Sequence, residues 1–304
     1  MLLIAEQFLN GLQFGLLLFL LAAGLTLVFG IMDLVNLAHG SLYMMGAYFA
    51  ATFVAWTGNF ILGVLLALGA TLLLGIVLEY VALRHLYGRD HLDQVLATFG
   101  LILFFNELVR AVWGPAGKSI AVPSFLARTV EILPGMPYPA YRFAIIVVGA
   151  AVAALLAWLV ARTRLGMLIR AGASNRRMIG ALGVNIELLF SLVFGLGAVF
   201  AGLAGLMAAP LSSVKIGMGD DILIVAFVII VIGGIGSIKG AFVAAMVVGQ
   251  IDIIGRAFLP DLLKTFLSNS AASSAAPAIS QVLVYIVMAG VLVWRPTGLF
   301  GQRS

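Results

Sequence analysis

The chain contains no cysteine and only three histidines in 304 residues. That excludes disulfide frameworks, thiolate metal sites and thiol nucleophiles, and it leaves too few imidazoles for a rich metal centre. Charge is the second shortage. Lys, Arg, Asp and Glu make up 10% of the residues against 63% apolar ones, whereas soluble domains carry about a quarter charged residues on their surfaces. A water-soluble fold is excluded. Catalytic signatures are missing as well: there is no His-Glu-x-x-His, no Gly-x-Ser-x-Gly and no carboxylate pair placed for acid–base work, which disfavours an intramembrane enzyme. The stretch Ile232–Ala241 has the look of a phosphate-binding loop, but Ile238 stands where the second glycine is needed and Lys239 is followed by Gly240. The pattern Gly, four residues, Gly-Lys-Ser/Thr therefore fails, and no other stretch satisfies it.

What is present is long charge-free sequence. The gaps Glu6–Asp33, Asp33–Glu79, Arg142–Arg162, Glu187–Lys215 and Lys264–Arg295 can each span a bilayer, which takes about 20 apolar residues as a helix; the second, at 45 residues, can span twice. Long apolar runs must satisfy their backbone groups internally, and the ten-residue alternation of a β-barrel is absent, so the expected class is all-α. The chain reads as one transmembrane domain over 1–304, a polytopic helical bundle with hydrophobic segments near 9–30, 41–57, 60–83, 94–113, 141–161, 187–209, 222–233, 239–255 and 278–294. The seventh is short, and the glycines beside it point to broken helices, giving eight or nine spans. No positive residues precede the first apolar run, unlike a secretory signal, so that segment is expected to stay as a span.

Orientation follows from Lys and Arg in short loops. Arg162, Arg164, Arg170, Arg176 and Arg177 fall within sixteen residues, with no acid before Glu187, so loop 162–186 is expected in the cytoplasm. Counting crossings then puts Arg84, Arg89, Arg295 and Arg303 on the same side, with Lys118–Pro139 and Pro260–Pro277 outside. The uncharged Asn269–Pro277 reads as a small-residue linker. The net charge of +5 is thus a matter of topology and not of nucleic-acid binding.

Three constellations carry the chemistry. Asp33, Asn36, His39, Ser41 and Tyr43 interrupt apolar sequence. In a helix of 100° per residue, Asp33, Asn36, His39 and Tyr43 form one polar stripe, a candidate pathway; alternatively they mark a wetted loop between two spans, with Asn36 as a helix cap. Gly233, Gly234, Gly236 and Gly240 allow turns and close helix approach, Gly236-x-x-x-Gly240 and Gly11-x-x-x-Gly15 having packing spacing. Between Arg162 and Asn185, Leu165, Leu168, Ile179 and Leu182 gather on one side of a helical wheel, opposite Arg170, Ala173 and Arg177. Such a basic surface helix either meets anionic lipid or docks a cytoplasmic partner, with Gly172 and Ala173 permitting close approach. Glu107 and Arg110 are spaced to pair, while Gln94, Thr98, Gln250 and Asp252 are expected at span ends or helix contacts.

Four blocks in order, Gly30–Tyr48, Arg170–Asn185, Val231–Gln250 and Arg295–Gly301, give the chain a resemblance that runs nearly end to end. It resembles the LivH-type inner-membrane permeases of bacterial ABC importers for branched-chain and other hydrophobic amino acids. The resemblance implies a non-catalytic translocation subunit in the inner membrane, with a cytoplasmic C-terminus and no cofactor of its own. Implied partners are a second, LivM-like permease, two cytoplasmic ATPases that use the ATP, and a periplasmic solute-binding protein. It further implies an ATPase-coupling loop carrying Arg164, Gly166, Arg170, Ala171, Ala173, Arg176, Arg177, Gly183 and Asn185; in an alternating-access bundle of this kind, polarity, and not the resemblance, puts the stripe Asp33–Tyr43 and the broken-helix region Gly233–Gly240, with Gly233, Gly234 and Gly236, near the substrate pathway. Branched-chain amino acids are the expected cargo; other amino acids, urea or short amides are carried by related importers. The competing reading is a self-sufficient secondary transporter or channel for a small polar solute, with Asp33, Glu107 or Asp252 as ion-coupling or filter groups.

Overall fold

The computed structural model describes residues 2–301. Its α-helices are α1 (Leu2–Met32), α2 (His39–Thr57), α3 (Phe60–Val81), α4 (His91–Trp113), α5 (Ala140–Arg162), α6 (Arg164–Ser174), α7 (Arg176–Ala181), α8 (Ile186–Ala208), α9 (Met218–Gly233), α10 (Ile238–Leu263) and α11 (Asn269–Trp294). Each of the nine hydrophobic segments coincides with one of these helices. Among the described residues, seven helices are long and apolar enough to cross a membrane, all but α2 and α9 of the nine. At 16 residues, α9 reaches about 24 Å at 1.5 Å per residue, short of a hydrocarbon core about 30 Å thick. Helix starts are set locally: Asn59, Asp90, Thr163, Asn175, Asn185, Ser237 and Ser268 each accept a first-turn backbone N–H, a cap worth about 1 kcal/mol.

The described residues fall into two compact units, with α1, α5 and α9 contributing to both. In the unit made of 20–121 and 152–226, the end of α1, the start of α2 and most of α8 are enclosed. Small residues let these helices touch. A Cβ at Gly46 would overlap the Gly202 backbone, one at Gly205 the Tyr43 carbonyl, and one at Gly24 would lie 2.6 Å from the Gly197 oxygen. Without an aqueous hydrophobic effect, such close packing is the main source of helix association in a bilayer.

In the other unit, 2–19, 122–151 and 227–301, the Gly11-x-x-x-Gly15 face of α1 packs on α10, as its spacing predicts: Gly15 meets the Ala245 carbonyl and Gly249 sits on the Gly15 backbone. Phe19 and Phe242 stack edge-on at 5.1 Å. An antiparallel hairpin of β1 (Thr129–Leu133) and β2 (Met136–Pro139), invisible to a search for apolar helices, lies in the segment between α4 and α5. It is tied down where the buried Tyr138 hydroxyl donates to Asn10 Oδ1 at 3.0 Å, an oxygen that also accepts from Arg142 at 2.7 Å.

Two expectations about this unit are corrected. Asn269–Pro277 is no linker but the first third of α11, and α10 continues through Pro260 to Leu263. Alanine is the best helix former and Ser268 caps the start, so a composition that looks like a linker builds a helix. The pairing Gly236-x-x-x-Gly240 also resolves differently: Gly240 packs against Gly233, while Gly234 and Gly236 take positive φ of 97° and 77° in the intervening turn.

Apolar side chains crowd the outer surfaces of the long helices. Leu65, Leu73, Phe104, Leu155 and Ile286 are exposed, on helices whose hydropathy suits hydrocarbon. The chain is a multi-pass helical membrane protein.

Candidate functional site

The polar strip does not form one helix. α1 ends at Met32, Asp33 adopts φ 51°, and 34–38 is irregular before α2 begins at His39. Aspartate is one of the few residues that tolerate this left-handed turn. The stripe is therefore divided. Asp33 is exposed, as a loop residue would be, whereas Asn36, His39, Ser41 and Tyr43 are buried. Asn36 does not cap α2, because the cap position is Ala38 and no side chain bonds the first turn.

Irregular backbone inside a membrane domain needs substitute partners. Gln94 and Thr98 provide them from α4. Gln94 Oε1 accepts from the Val35 N–H at 3.0 Å, Thr98 Oγ1 accepts from the Leu37 N–H at 3.2 Å, and Gln94 Nε2 donates to the Leu86 and Arg89 carbonyls at 3.3 Å. These residues are helix contacts, as expected, and they hold the break between α1 and α2 open. The His39 ring lies where Gly24 leaves room, since a Cβ at Gly24 would stand 2.8 Å from its Nε2. Gly40 closes on the Gly219 carbonyl.

The glycine turn after α9 has a partner that the sequence did not announce. Leu299 N–H donates to the Ile232 carbonyl at 2.8 Å and Phe300 N–H to the Gly233 carbonyl at 3.0 Å. The Thr297–Gly301 segment thus satisfies carbonyls left open at the end of α9, and Gly234 and Gly298 meet backbone to backbone. In this conformation Gly233 and Gly234 are packing positions, while Gly236 sits exposed in the turn.

The basic loop is two helices, α6 and α7, separated at Asn175, which caps α7. Its sides differ from the wheel. Gly166, Ile169, Gly172 and Ile179 are buried, with Gly172 facing Ile31, Ile179 and Leu189, while Leu182 is 77% exposed. The break at Asn175 resets the phase, so residues after it do not continue the face of α6. Gly172 is thus unavailable for outside contact. Gly166 allows the chain to turn tightly out of α5, since any side chain there would strike the Leu159 and Val160 carbonyls. Gly183, at φ 84°, ends the loop, and Asn185 caps α8. Among the described candidate residues of the loop, Arg164, Arg170, Ala171, Ala173, Gly183 and Asn185 are exposed, and the first four are free of a turn or capping role. The side chains of Arg176 and Arg177, and Arg303 altogether, lie outside the described residues.

Sequence reasoning passed over one cluster. Glu79, near the end of α3, has no exposed side-chain surface; it accepts from the Tyr87 and Ser191 hydroxyls at 2.6 Å each and faces Arg84 at 3.5 Å. Arg84 also pairs with Glu187 in the first turn of α8 at 3.1 Å. Burial, followed by the hydrogen bond to Glu79, raises the Tyr87 phenol pKa. The network fastens the α3–α4 turn to α8 immediately after the basic loop. A lone carboxylate at a span's end was the only signal for it. Glu107 and Arg110 pair on the surface at 2.8 Å and Asp252 pairs with Arg256 at 2.9 Å, so both acids have local partners.

Comparison with known proteins gives a consistent picture. The family described as branched-chain amino acid transport system / permease component matches residues 7–292. The high-affinity branched-chain amino acid transport system permease protein BraD of Pseudomonas aeruginosa is 30% identical over 313 residues, spanning 98% of this chain and 95% of BraD. The corresponding permease protein LivH of Escherichia coli is 27% identical over 311 residues with the same shares, and a probable LivH of Methanocaldococcus jannaschii is 27% identical over 295 residues, spanning 94% and 89%. No solved structure matches the chain.

Proposed function

Because the chain belongs to the branched-chain amino acid transport system permease family, we propose that it is the translocating subunit of an ATP-driven importer that moves amino acids, branched-chain ones foremost, through the bacterial inner membrane into the cytoplasm. The observation that carries this reading is the family match across nearly the whole bundle. In this reading the subunit performs no catalysis and binds no cofactor. A second, related permease completes the pathway, two cytoplasmic ATPases supply the energy from ATP, and a periplasmic binding protein delivers the solute.

The loop 162–186 and the C-terminus face the cytoplasm. Arg164, Arg170, Ala171 and Ala173 form the surface that meets an ATPase, with basic groups beside small ones so that a partner can approach closely. Closure of the two ATPases draws such loops together, and the bundles rock between outward-open and inward-open states. The Glu79–Arg84–Glu187 network, anchored at the first turn after the loop, supports the transfer of that movement to α3 and α8.

Affinity purification of the tagged chain from its native membrane in mild detergent tests the assembly. The expected product contains a second permease and two ATPase copies, and its ATP hydrolysis rises when the binding protein carries a branched-chain amino acid. Recovery of the chain alone, with no associated ATPase activity, would overturn the reading. Mass spectrometry of the small molecule bound to the purified binding protein identifies the cargo.

A further inference from the structure

The buried start of α2 is anomalous in a way that points to a ligand. A helix end leaves its first backbone N–H groups without intrahelical acceptors, and the helix dipole puts about half a positive charge there. In water this is solved by solvent or by a capping side chain. Here Ala38, His39, Gly40 and Ser41 are all buried, Ala38 carries no capping group, and no side chain bonds the first turn. Residues 37 and 38 form a turn into the helix, and the Ser41 and Leu42 N–H groups turn back to the Ala38 carbonyl at 3.0 and 3.4 Å.

Two side chains that could serve do not. Asn36, with no exposed surface, has neither its amide nitrogen nor its amide oxygen hydrogen-bonded, and the buried Ser41 hydroxyl is likewise without a partner. Ser41 is the third residue of the helix, and helical side chains lean toward the N-terminus, which puts its hydroxyl on the side of the helix start. Burying an amide or hydroxyl without a hydrogen bond is unfavourable. Retaining two such groups beside an uncapped helix end is costly unless something binds there.

We propose that the N-terminus of α2, with Asn36 and Ser41, is a carboxylate-binding site that takes the α-carboxylate of the transported amino acid. The inference rests on the transport reading above. Backbone N–H groups and the positive end of the dipole favour an anion, and broken membrane helices present such ends to anionic substrate groups. The Asn36 amide and the Ser41 hydroxyl can each donate to a carboxylate oxygen. The site is closed to solvent in this conformation and is reached when the bundle opens.

The test uses the complete complex without its binding protein and measures binding of leucine, isovalerate and leucinamide by calorimetry, together with ATP-driven leucine uptake once the binding protein is restored. The unaltered complex is expected to bind leucine and isovalerate and at least tenfold less leucinamide, which lacks the carboxylate. Ser41→Ala, which removes one oxygen, and Asn36→Asp, which keeps the shape and adds a repelling charge, are expected to weaken leucine binding at least tenfold and to lower uptake per ATP hydrolysed, with binding-protein-stimulated hydrolysis retained. Equal binding of leucine and leucinamide, absence of leucine binding, or unaltered leucine binding by both variants overturns the site. Failure of the unaltered complex to take up leucine with ATP overturns the transport reading instead.

Discussion

A methyl group added at Gly205 would overlap the Tyr43 carbonyl, whereas one added at Gly69 would meet nothing within 4 Å. Both glycines lie inside apolar helices, α8 and α3, and nothing in their neighbouring sequence separates them. The difference arises only when α8 crosses α2. Gly205→Ala is therefore expected to destabilise the protein by about 1–3 kcal/mol through overpacking, and Gly69→Ala to stabilise it by about 0.5–1 kcal/mol by restricting the unfolded chain. Thermal melts of the two variants in one detergent check both signs. Tyr138 gives a second prediction at this scale. Its phenol pKa is pushed up to about 12 from 10, first by burial, with Arg142 pulling it down and Glu6 pushing it up. The folded chain keeps this proton where the unfolded chain releases it, so the resulting stability is full below pH 10 and is lost as pH rises from 10 to about 12. Tyr138→Phe is expected to flatten that part of the stability profile measured by alkaline titration.

At the scale of elements, the nine hydrophobic segments were legible because a bilayer imposes length and apolarity on anything that crosses it. What sequence could not show was where a helix yields to tertiary contacts. The strip from Asp33 to Tyr43 has helical spacing, yet Gln94 and Thr98, some sixty residues away, take over the backbone groups of Val35 and Leu37 and keep the segment unwound. The Ser/Ala-rich stretch at Asn269 misled in the opposite sense, because polarity suggested a linker where propensity and a capping serine made a helix. In the basic loop, composition identified a surface element, but Gly172 packs inward on the Gly166–Ile169 face of α6, and beyond the break at Asn175 the phase shifts so that Leu182 is exposed. The surviving candidates on that loop are thus the exposed ones. Ala173→Glu, and separately Arg170→Glu, are expected to leave membrane insertion intact while cutting uptake at least tenfold relative to ATP hydrolysis; transport assays on membranes with equal amounts of each variant measure this. Normal uptake by both would remove the loop from the coupling role.

For the whole molecule, scarcity of charge dictated a membrane environment, and the positions of the few charges carry the expected orientation. The family match extends through both compact units, so the entire bundle, and no single module of it, is the functional object. An importer that accumulates its solute has to draw on an energy source, and the two ways of doing so, an ion gradient or a partner's ATP, make opposite predictions for the isolated chain. The direct measurement is uptake of labelled leucine into proteoliposomes that contain either this chain alone, under a proton or sodium gradient, or the chain with its second permease, ATPases and loaded binding protein. The account predicts no uptake by the chain alone and ATP-dependent accumulation by the full assembly. Gradient-driven accumulation by the chain alone would contradict it.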